Sequence, residues 1–568
     1  MLLRTRLQQL TRIYRTSMTR HLSSEGSCSS STFDHENEHA KESLFDLYRN
    51  PETDRISANS FLKALEDCGL LKDDVRVARI IERMQNEKVT NDQCCNVELD
   101  RAAFFRCLGS KATIVLKAFT GQLIVPDWPS FKKTVGELFE KARPYKDGNL
   151  ATYIPQLART DPELWSVSIC TVDGQRASWG DHNVPFCLQS VAKPFNYAAA
   201  LNLLGVDYVH KYVGQEPSGR FFNEICLDAD KKPHNPMVNA GAIVVTSLLN
   251  PKEGLSDRFD FILKTMRKFA GEQFVSFKNS VFLSERETAD RNYAISYYMR
   301  EHNCFPPNTN LVETLDLYFQ SCSISVNTDS LAVMAATLAN GGVCPLNNER
   351  VVSNRAVRDT LSLMLSCGMY DYSGQFAFKV GLPAKSGVSG DMMIVVPNCM
   401  GIAIYSPRLD QFGNTVRGVK FAEHLVESYN LHHYDSLSFA ENNKMDPRKN
   451  PDTTRWNGSI DLMYAAKNDD IAAIKRHLLG GAGMQATDYD DRTVLHIAAS
   501  YGRIDAMKFF LQRWKGDLNV KDRNGVTPLE EAEKFGHNEC AELLREAIRT
   551  RAKPPTNSTD VGDKETNA

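Results

Sequence analysis

Ser190 and Lys193 stand three residues apart in the run Ser190-Val191-Ala192-Lys193. On a helix that spacing puts both side chains on one face. A neutral lysine so placed can take the proton of the serine hydroxyl and leave a nucleophilic oxygen. The same spacing recurs at Ser60/Lys63 and Ser130/Lys133, so spacing alone decides nothing. Context separates the three pairs. Ser190 follows the mostly apolar Phe186-Cys187-Leu188-Gln189, and Pro194 and Tyr197-Ala198-Ala199-Ala200-Leu201 mark the start of a buried helix. A helix N-terminus presents free N–H groups and the positive end of the dipole, which favour an oxyanion and lower a nearby lysine's pKa. Ser60 and Ser130 lie in charged sequence that reads as exposed helix.

A second clue is Lys385-Ser386-Gly387, far downstream and followed by the apolar run from Met392 to Tyr405 that Pro397 and Asn398 break. This reads as two short strands joined by a turn. Ser-x-x-Lys followed by Lys-Ser/Thr-Gly on a strand is the layout of serine β-lactamases and penicillin-binding proteins. A strand edge beside the serine supplies a second oxyanion N–H, and a second lysine disfavours protonation of Lys193. The Ser-x-Asn member of that set is missing from its usual place. Ser325-Val326-Asn327 has the form, but Asn327-Thr328-Asp329 leads into a helical stretch and reads as its N-cap.

Longer runs carry a more specific resemblance. Tyr153-Ile154-Pro155-Gln156-Leu157-Ala158, the approach to Ser190, Lys232-Pro233-His234-Asn235-Pro236-Met237-Val238-Asn239-Ala240-Gly241-Ala242, Ser284-Glu285-Arg286-Glu287, Asp290-Arg291-Asn292 and Ser366-Cys367-Gly368-Met369-Tyr370 closely resemble the phosphate-activated glutaminases of animals. The resemblance spans roughly residues 41–545. It implies a β-lactamase-like catalytic domain that hydrolyses L-glutamine to L-glutamate and ammonia through a glutamyl-enzyme. Ser190 is then the nucleophile, Lys193 the general base, and Tyr370 the group that passes a proton to departing ammonia. The N–H groups of Ser190 and Val388 form the oxyanion hole. Tyr153, Gln189, Ser190, Asn239, Glu285, Asn292, Tyr318, Tyr370 and Val388 contact the substrate. An anion, amide donors and phenols suit a free α-amino and α-carboxylate group. On spacing alone, Asn239 also fits a turn, Glu285 a helix salt bridge and Tyr318 a core position. The family implies no metal and no organic cofactor, with inorganic phosphate as activator. It also implies a homotetramer with a capacity to form filaments. One departure stands in Gly219-Arg220-Phe221-Phe222-Asn223-Glu224-Ile225-Cys226, a gating and oligomer-contact segment in the family. Ile225-Cys226 replaces a more familiar Leu-Phe pair, which bears on inhibitor binding and activation and leaves the candidate catalytic set untouched.

The elements that must position these residues follow from the rest of the chain. Its 568 residues exceed a single core, and the reading is multidomain. Residues 1–24 hold Arg4, Arg6, Arg12, Arg15 and Arg20 and no acid, with Leu3, Leu7, Leu10 and Tyr14 on one helical stripe. That is the composition of a mitochondrial transit peptide, and it points to the mitochondrial matrix. Residues 25–40 read as a linker and 41–126 as a helical bundle. Asn50-x-Glu52-x-Asp54 resembles a calcium loop, but with Phe61 at its twelfth position and no central glycine it reads as no calcium site. Residues 130–435 mix β-like runs such as Val167–Val172 with helical stretches, an α/β pattern for one large catalytic domain.

Residues 436–456 read as a linker. In 457–550, Thr493-x-Leu495-His496-x-x-Ala499 and Thr527-Pro528-Leu529 lie one ankyrin period apart, as do Gly502 and Gly536. About three all-α repeats are legible, a surface for a protein partner. Residues 551–568 read as a disordered tail. The fourteen cysteines form no CxxC pair, and the net charge of −3 gives no basic excess for nucleic acid. No apolar run approaches the roughly 18 residues of a membrane helix. Two other readings compete: a β-lactamase-like hydrolase of another acyl substrate, and an inactive scaffold working through its repeats. A scaffold should lack one of Ser190, Lys193 and Tyr370, and all three are present.

Overall fold

Strands that are apolar along their whole length must be covered on both faces, and here the central sheet is. The computed structural model describes residues 38–552 apart from 39, 43, 47, 51–52, 87–96, 120, 220–223, 436–443, 450 and 480–481. The transit-peptide reading, most of the 25–40 linker and most of the tail lie outside the described residues. The chain divides into two units, Met1–Arg448 and Lys449–Ala568.

In the first unit, β1 (Ile56–Ser57) pairs antiparallel with β2 (Glu98–Leu99), joining two helical pairs around Phe45, Phe61 and Phe104. Ser57 and Asp100 cap the helices that follow these strands, accepting from the N–H groups of Ser60 and Ala103. The expected helical bundle is thus two helix–loop–helix hands tied by a short ribbon. It docks on the next domain through Arg76, which donates to the Asp173 carbonyl at 2.8 Å, and through the Arg176–Asp73 ion pair at 2.7 Å.

The main sheet is antiparallel, in the order β4 (Arg176–Gly180), β3 (Ser166–Thr171), β10 (Met400–Tyr405), β9 (Asp391–Val396), β8 (Ala384–Ser386). Alternation sorts its residues between two cores. Met393, Val395 and Ala403 face one core, with the helix Thr328–Ala339. Ile394, Ile402 and Ile404 face the other, with Phe131, Phe139, Phe421 and Leu425 from the helices Trp128–Ala142 and Val416–Ser428. The turn at Pro397 and Asn398 joins β9 to β10, as read. A small sheet, β5 (Phe186–Cys187), β7 (Ile324–Val326), β6 (Val275–Phe277), delivers the chain to Ser190. Asn327 accepts from the Ser330 N–H at 2.9 Å, so it caps the Thr328–Ala339 helix.

The second unit stacks helix pairs Pro451–Lys467/Ile471–Leu479, Val494–Ser500/Ile504–Arg513 and Pro528–Lys534/Asn538–Ala552. The first helix begins inside the stretch read as linker, and the last runs two residues into the stretch read as tail. Thr493 and Thr527 start their helices with reciprocal capping bonds. His496 Nδ1 accepts from the Thr493 N–H at 3.1 Å. Its Nε2 donates to the Val526 carbonyl at 3.1 Å and joins one repeat to the next.

Candidate active site

Gln189–Val191 form a single 3₁₀ turn leading into α1 (Ala192–Leu204). The turn exists because β5 ends in the core, with Leu188 held to the Ile324 carbonyl, and the chain must reverse into the helix. Gln189 pays with a left-handed φ of 47°, and Tyr370 does the same at 52°. Such conformations cost on the order of 1 kcal/mol or more each in a non-glycine residue and persist only where packing imposes them.

Ser190 is buried, and Lys193 Nζ lies 3.1 Å from its Oγ. The same Nζ donates to Asn239 Oδ1 at 2.7 Å. Asn239 opens α2 (Asn239–Leu248), and its Nδ2 donates to Asn292 Oδ1 at 3.3 Å. An asparagine amide therefore does stand beside the lysine, as the Ser-x-x-Lys layout asks. It comes from the Val238-Asn239-Ala240 helix start and not from Ser325-Val326-Asn327. Burial pushes Lys193 down to about 8. Lys385, on β8 and fully buried, is held well below the ordinary lysine range by burial first and by Lys193 second. Its Nζ donates to the Ser386 carbonyl at 2.7 Å and sits 4.4 Å over the Tyr370 ring. Burial lifts the Tyr370 phenol above its usual range, opposed by a hydrogen bond with Ser190.

On the other side, α3 (Asn279–Glu287) brings in Glu285. Its Oε1 accepts from the Tyr153 hydroxyl at 2.6 Å and from Gln189 Nε2 at 2.9 Å. Burial raises the Glu285 pKa, and those two donors pull it back. Tyr153 is half exposed at the rim with its hydroxyl turned inward. Tyr318, on α4 (Leu311–Cys322), is buried, and its phenol is raised far above its ordinary value by burial and then by Cys322. Val388 packs on the Ile154–Leu157–Cys187 cluster, and β8 lies against the Ser190 turn. Cys322 was not among the residues read from the sequence. Its thiol, pushed up to about 12 by burial, faces Glu285, Lys193 and Tyr318. Within the Gly219–Cys226 segment, residues 220–223 lie outside the described residues. A larger groove, about 540 Å³ and lined by Arg358, His432 and His433 among others, contains none of the ten candidate residues.

A serine, a lysine depressed by burial, an amide and two phenols converging on one point, with a buried carboxylate nearby, is a set for acyl transfer to serine. The glutaminase family model matches residues 148–434, just over half of the chain, and includes all of these residues. The chain belongs to the glutaminase family. It is an enzyme acting on glutamine, and further matches frame its catalytic domain: an EF-hand domain over residues 40–126 and three ankyrin repeats over 462–554. The chain is 47% identical to the mitochondrial liver isoform of glutaminase from Rattus norvegicus over 87% of its own length and 81% of that protein. Among solved structures, ybaS, described as a probable glutaminase, is 39% identical with a TM-score of 0.50, covering 52% of this chain and 95% of that one. The native form of Mglu is 37% identical with a TM-score of 0.51, covering 53% and 72%.

An EF-hand implies calcium, and the first loop of this glutaminase's N-terminal module does not fit it. Asp54, with φ of 52°, occupies the left-handed sixth position that glycine takes in a calcium loop. The first, third, fifth and twelfth positions are then Arg49, Pro51, Thr53 and Ser60, none a carboxylate. Arg49 instead donates to Asp54 Oδ1 at 2.5 Å and closes the loop with its own cation. The register is one residue earlier than the sequence reading set it, and neither register places a Glu at the twelfth position, which is Ser60 in one and Phe61 in the other.

Proposed function

We propose that this protein hydrolyses L-glutamine to L-glutamate and ammonia at Ser190. The observation that carries the reading is the 3.1 Å contact between Ser190 Oγ and a lysine whose burial brings it to about 8, near working pH. Lys193 takes the hydroxyl proton as Oγ attacks the side-chain amide carbon. The N–H groups of Ser190 and Val388 receive the oxyanion. Collapse breaks the C–N bond, and ammonia leaves with a proton delivered through Tyr370, leaving a glutamyl ester. Water then attacks the ester, Lys193 takes its proton, and glutamate leaves as Ser190 recovers its hydrogen. Glu285 holds the substrate's ammonium group, with Tyr153, Gln189, Asn239, Asn292 and Tyr318 completing the recognition of a free amino acid. A buried carboxylate already satisfied by two donors is preorganised to accept a third.

The Arg-rich leader and the mitochondrial relatives support a mitochondrial location, in the matrix. Family resemblance supports activation by inorganic phosphate, a homotetramer and filament formation, and the ankyrin unit offers a face for a protein partner. The test is glutamate release by the purified protein, with and without phosphate, alongside Ser190→Ala and trapping of the acyl-enzyme by hydroxylamine. Ser190→Ala should lower kcat by about 10⁴-fold or more and abolish the hydroxamate. Activity that survives the substitution sinks the nucleophile assignment.

A further inference from the structure

The turn Gly387–Gly390 between β8 and β9 carries Val388, and beneath it lies a buried carboxyl that the mechanism above does not use. Asp391 is fully buried, and Ser389 nearly so. Ser389 Oγ lies 2.7 Å from Asp391 Oδ1 and 2.8 Å from the carbonyl oxygen of Cys187. Cys187 ends β5, just ahead of Gln189 and Ser190. The Gly387 N–H donates to the Asp391 carbonyl at 2.8 Å, and a Cβ at Gly387 would fall 2.0 Å from Asp391 Oδ1. The carboxyl is therefore pressed against the peptide that leads into Val388.

Counting hydrogens decides its state. A serine hydroxyl has one hydrogen to give, a carbonyl oxygen only accepts, and an ionised carboxylate only accepts. Ser389 Oγ makes two contacts of hydrogen-bond length, both to oxygen. One hydrogen cannot fill both, and of the three groups only the carboxyl can carry the second. The 2.7 Å separation is that of a made O–H···O bond. Among the described residues Asp391 Oδ2 has no hydrogen-bond partner, and the cation that pulls on the carboxyl is Lys385.

We infer that Asp391 is a neutral carboxylic acid that donates to Ser389, which donates to Cys187, forming a strut that fixes the Val388 turn against the segment bearing Ser190. This rests on the assignment of Ser190 and Val388 made above. Asp391 touches no reacting atom and is a positioning residue. The titratable groups facing it are Lys385 on β8, Tyr405 opposite it on β10, Cys187 on β5 and Tyr370. Burial raises its carboxyl to about 7, against the smaller pull of Ser389, its own N–H and Lys385. Ionisation does two kinds of harm. It leaves Ser389 with one hydrogen for two acceptors, which loosens the strut. It also places an anion behind the developing oxyanion and favours the protonated form of Lys385.

The test uses the full-length protein and four variants. Asp391→Asn keeps an N–H donor toward Ser389 and cannot ionise. Wild-type kcat should fall on the alkaline side, and Asp391→Asn should keep most of the activity at neutral pH while losing that fall. Asp391→Ala and Ser389→Ala should lower kcat by about 10- to 100-fold with KM changed far less, as a misplaced oxyanion donor would. Infrared difference spectra, wild type minus Asp391→Asn, should show the carbonyl stretch of a protonated carboxyl at neutral pH. Absence of that band overturns the inference, as does an Asp391→Asn protein that is folded by circular dichroism yet as impaired as Asp391→Ala. Ser190→Ala separates the two readings. Full activity in that variant defeats the Ser190 assignment, whereas the infrared band reports on Asp391 whichever residue is the nucleophile.

Discussion

Lys193 links chemistry to pH. A lysine acts as base only in its neutral form, and burial brings this one to about 8. Below that pH it is mostly protonated, so kcat/KM for glutamine should fall about tenfold per unit as pH drops well below 8. Measuring kcat/KM across pH checks the sign and the midpoint. A flat acid limb would remove Lys193 from the role of base. The sequence placed Ser190 and Lys193 within reach because they stand three positions apart. The bond from Lys193 to Asn239 spans 46 positions, and no local pattern signals it. Asn239 was carried over from the family as a substrate ligand. Its contact with the lysine is visible only once α1 and α2 are packed.

At the scale of elements, the site depends on how closely the Thr328–Ala339 helix approaches the sheet. Gly401, the second residue of β10, is where they meet. A Cβ there would lie 2.1 Å from the Ala336 nitrogen and 2.6 Å from the Ala332 carbonyl oxygen, both backbone atoms that cannot rotate away. Gly401→Ala should therefore destabilise the fold by about 1–3 kcal/mol or more, read as a lower midpoint in urea or thermal unfolding. An unchanged midpoint would mean that the helix can ride outward without loss. The two-strand reading of 392–405 was legible from the Pro397-Asn398 break, but the need for glycine at 401 was not. A glycine in a strand has several uses, and only the neighbouring helix says which one applies. The EF-hand character of residues 41–126 escaped the sequence reading for a related reason. In the first loop Arg49 and Thr53 stand where liganding carboxylates would, so what shows is a helix–loop–helix geometry and a two-residue ribbon, Ile56↔Leu99, between segments far apart in sequence.

For the whole molecule, the Met1–Arg448 and Lys449–Ala568 units have separate hydrophobic cores, and every candidate site residue belongs to the first. A unit with its own core can fold alone. A chain ending at Arg448 should retain glutamine hydrolysis, measured as glutamate release with phosphate present. A folded but inactive truncated protein would show that the site depends on the ankyrin unit.

The sequence by itself determined what is local or periodic: the Ser-x-x-Lys pair, the strand break at Pro397, the Asn327 cap and the ankyrin turns. It also held, through long uncommon runs, the likeness to glutaminases. Tertiary structure alone decided the rest: that Asn239 meets Lys193, that Glu285 is held by Tyr153 and Gln189, and that Ser389 has two acceptors for one hydrogen. The reason is physical. Helical spacing and capping act over a few residues and are written in neighbouring letters. Burial, which lowers Lys193 and raises Asp391, is set by what the whole chain packs around a group.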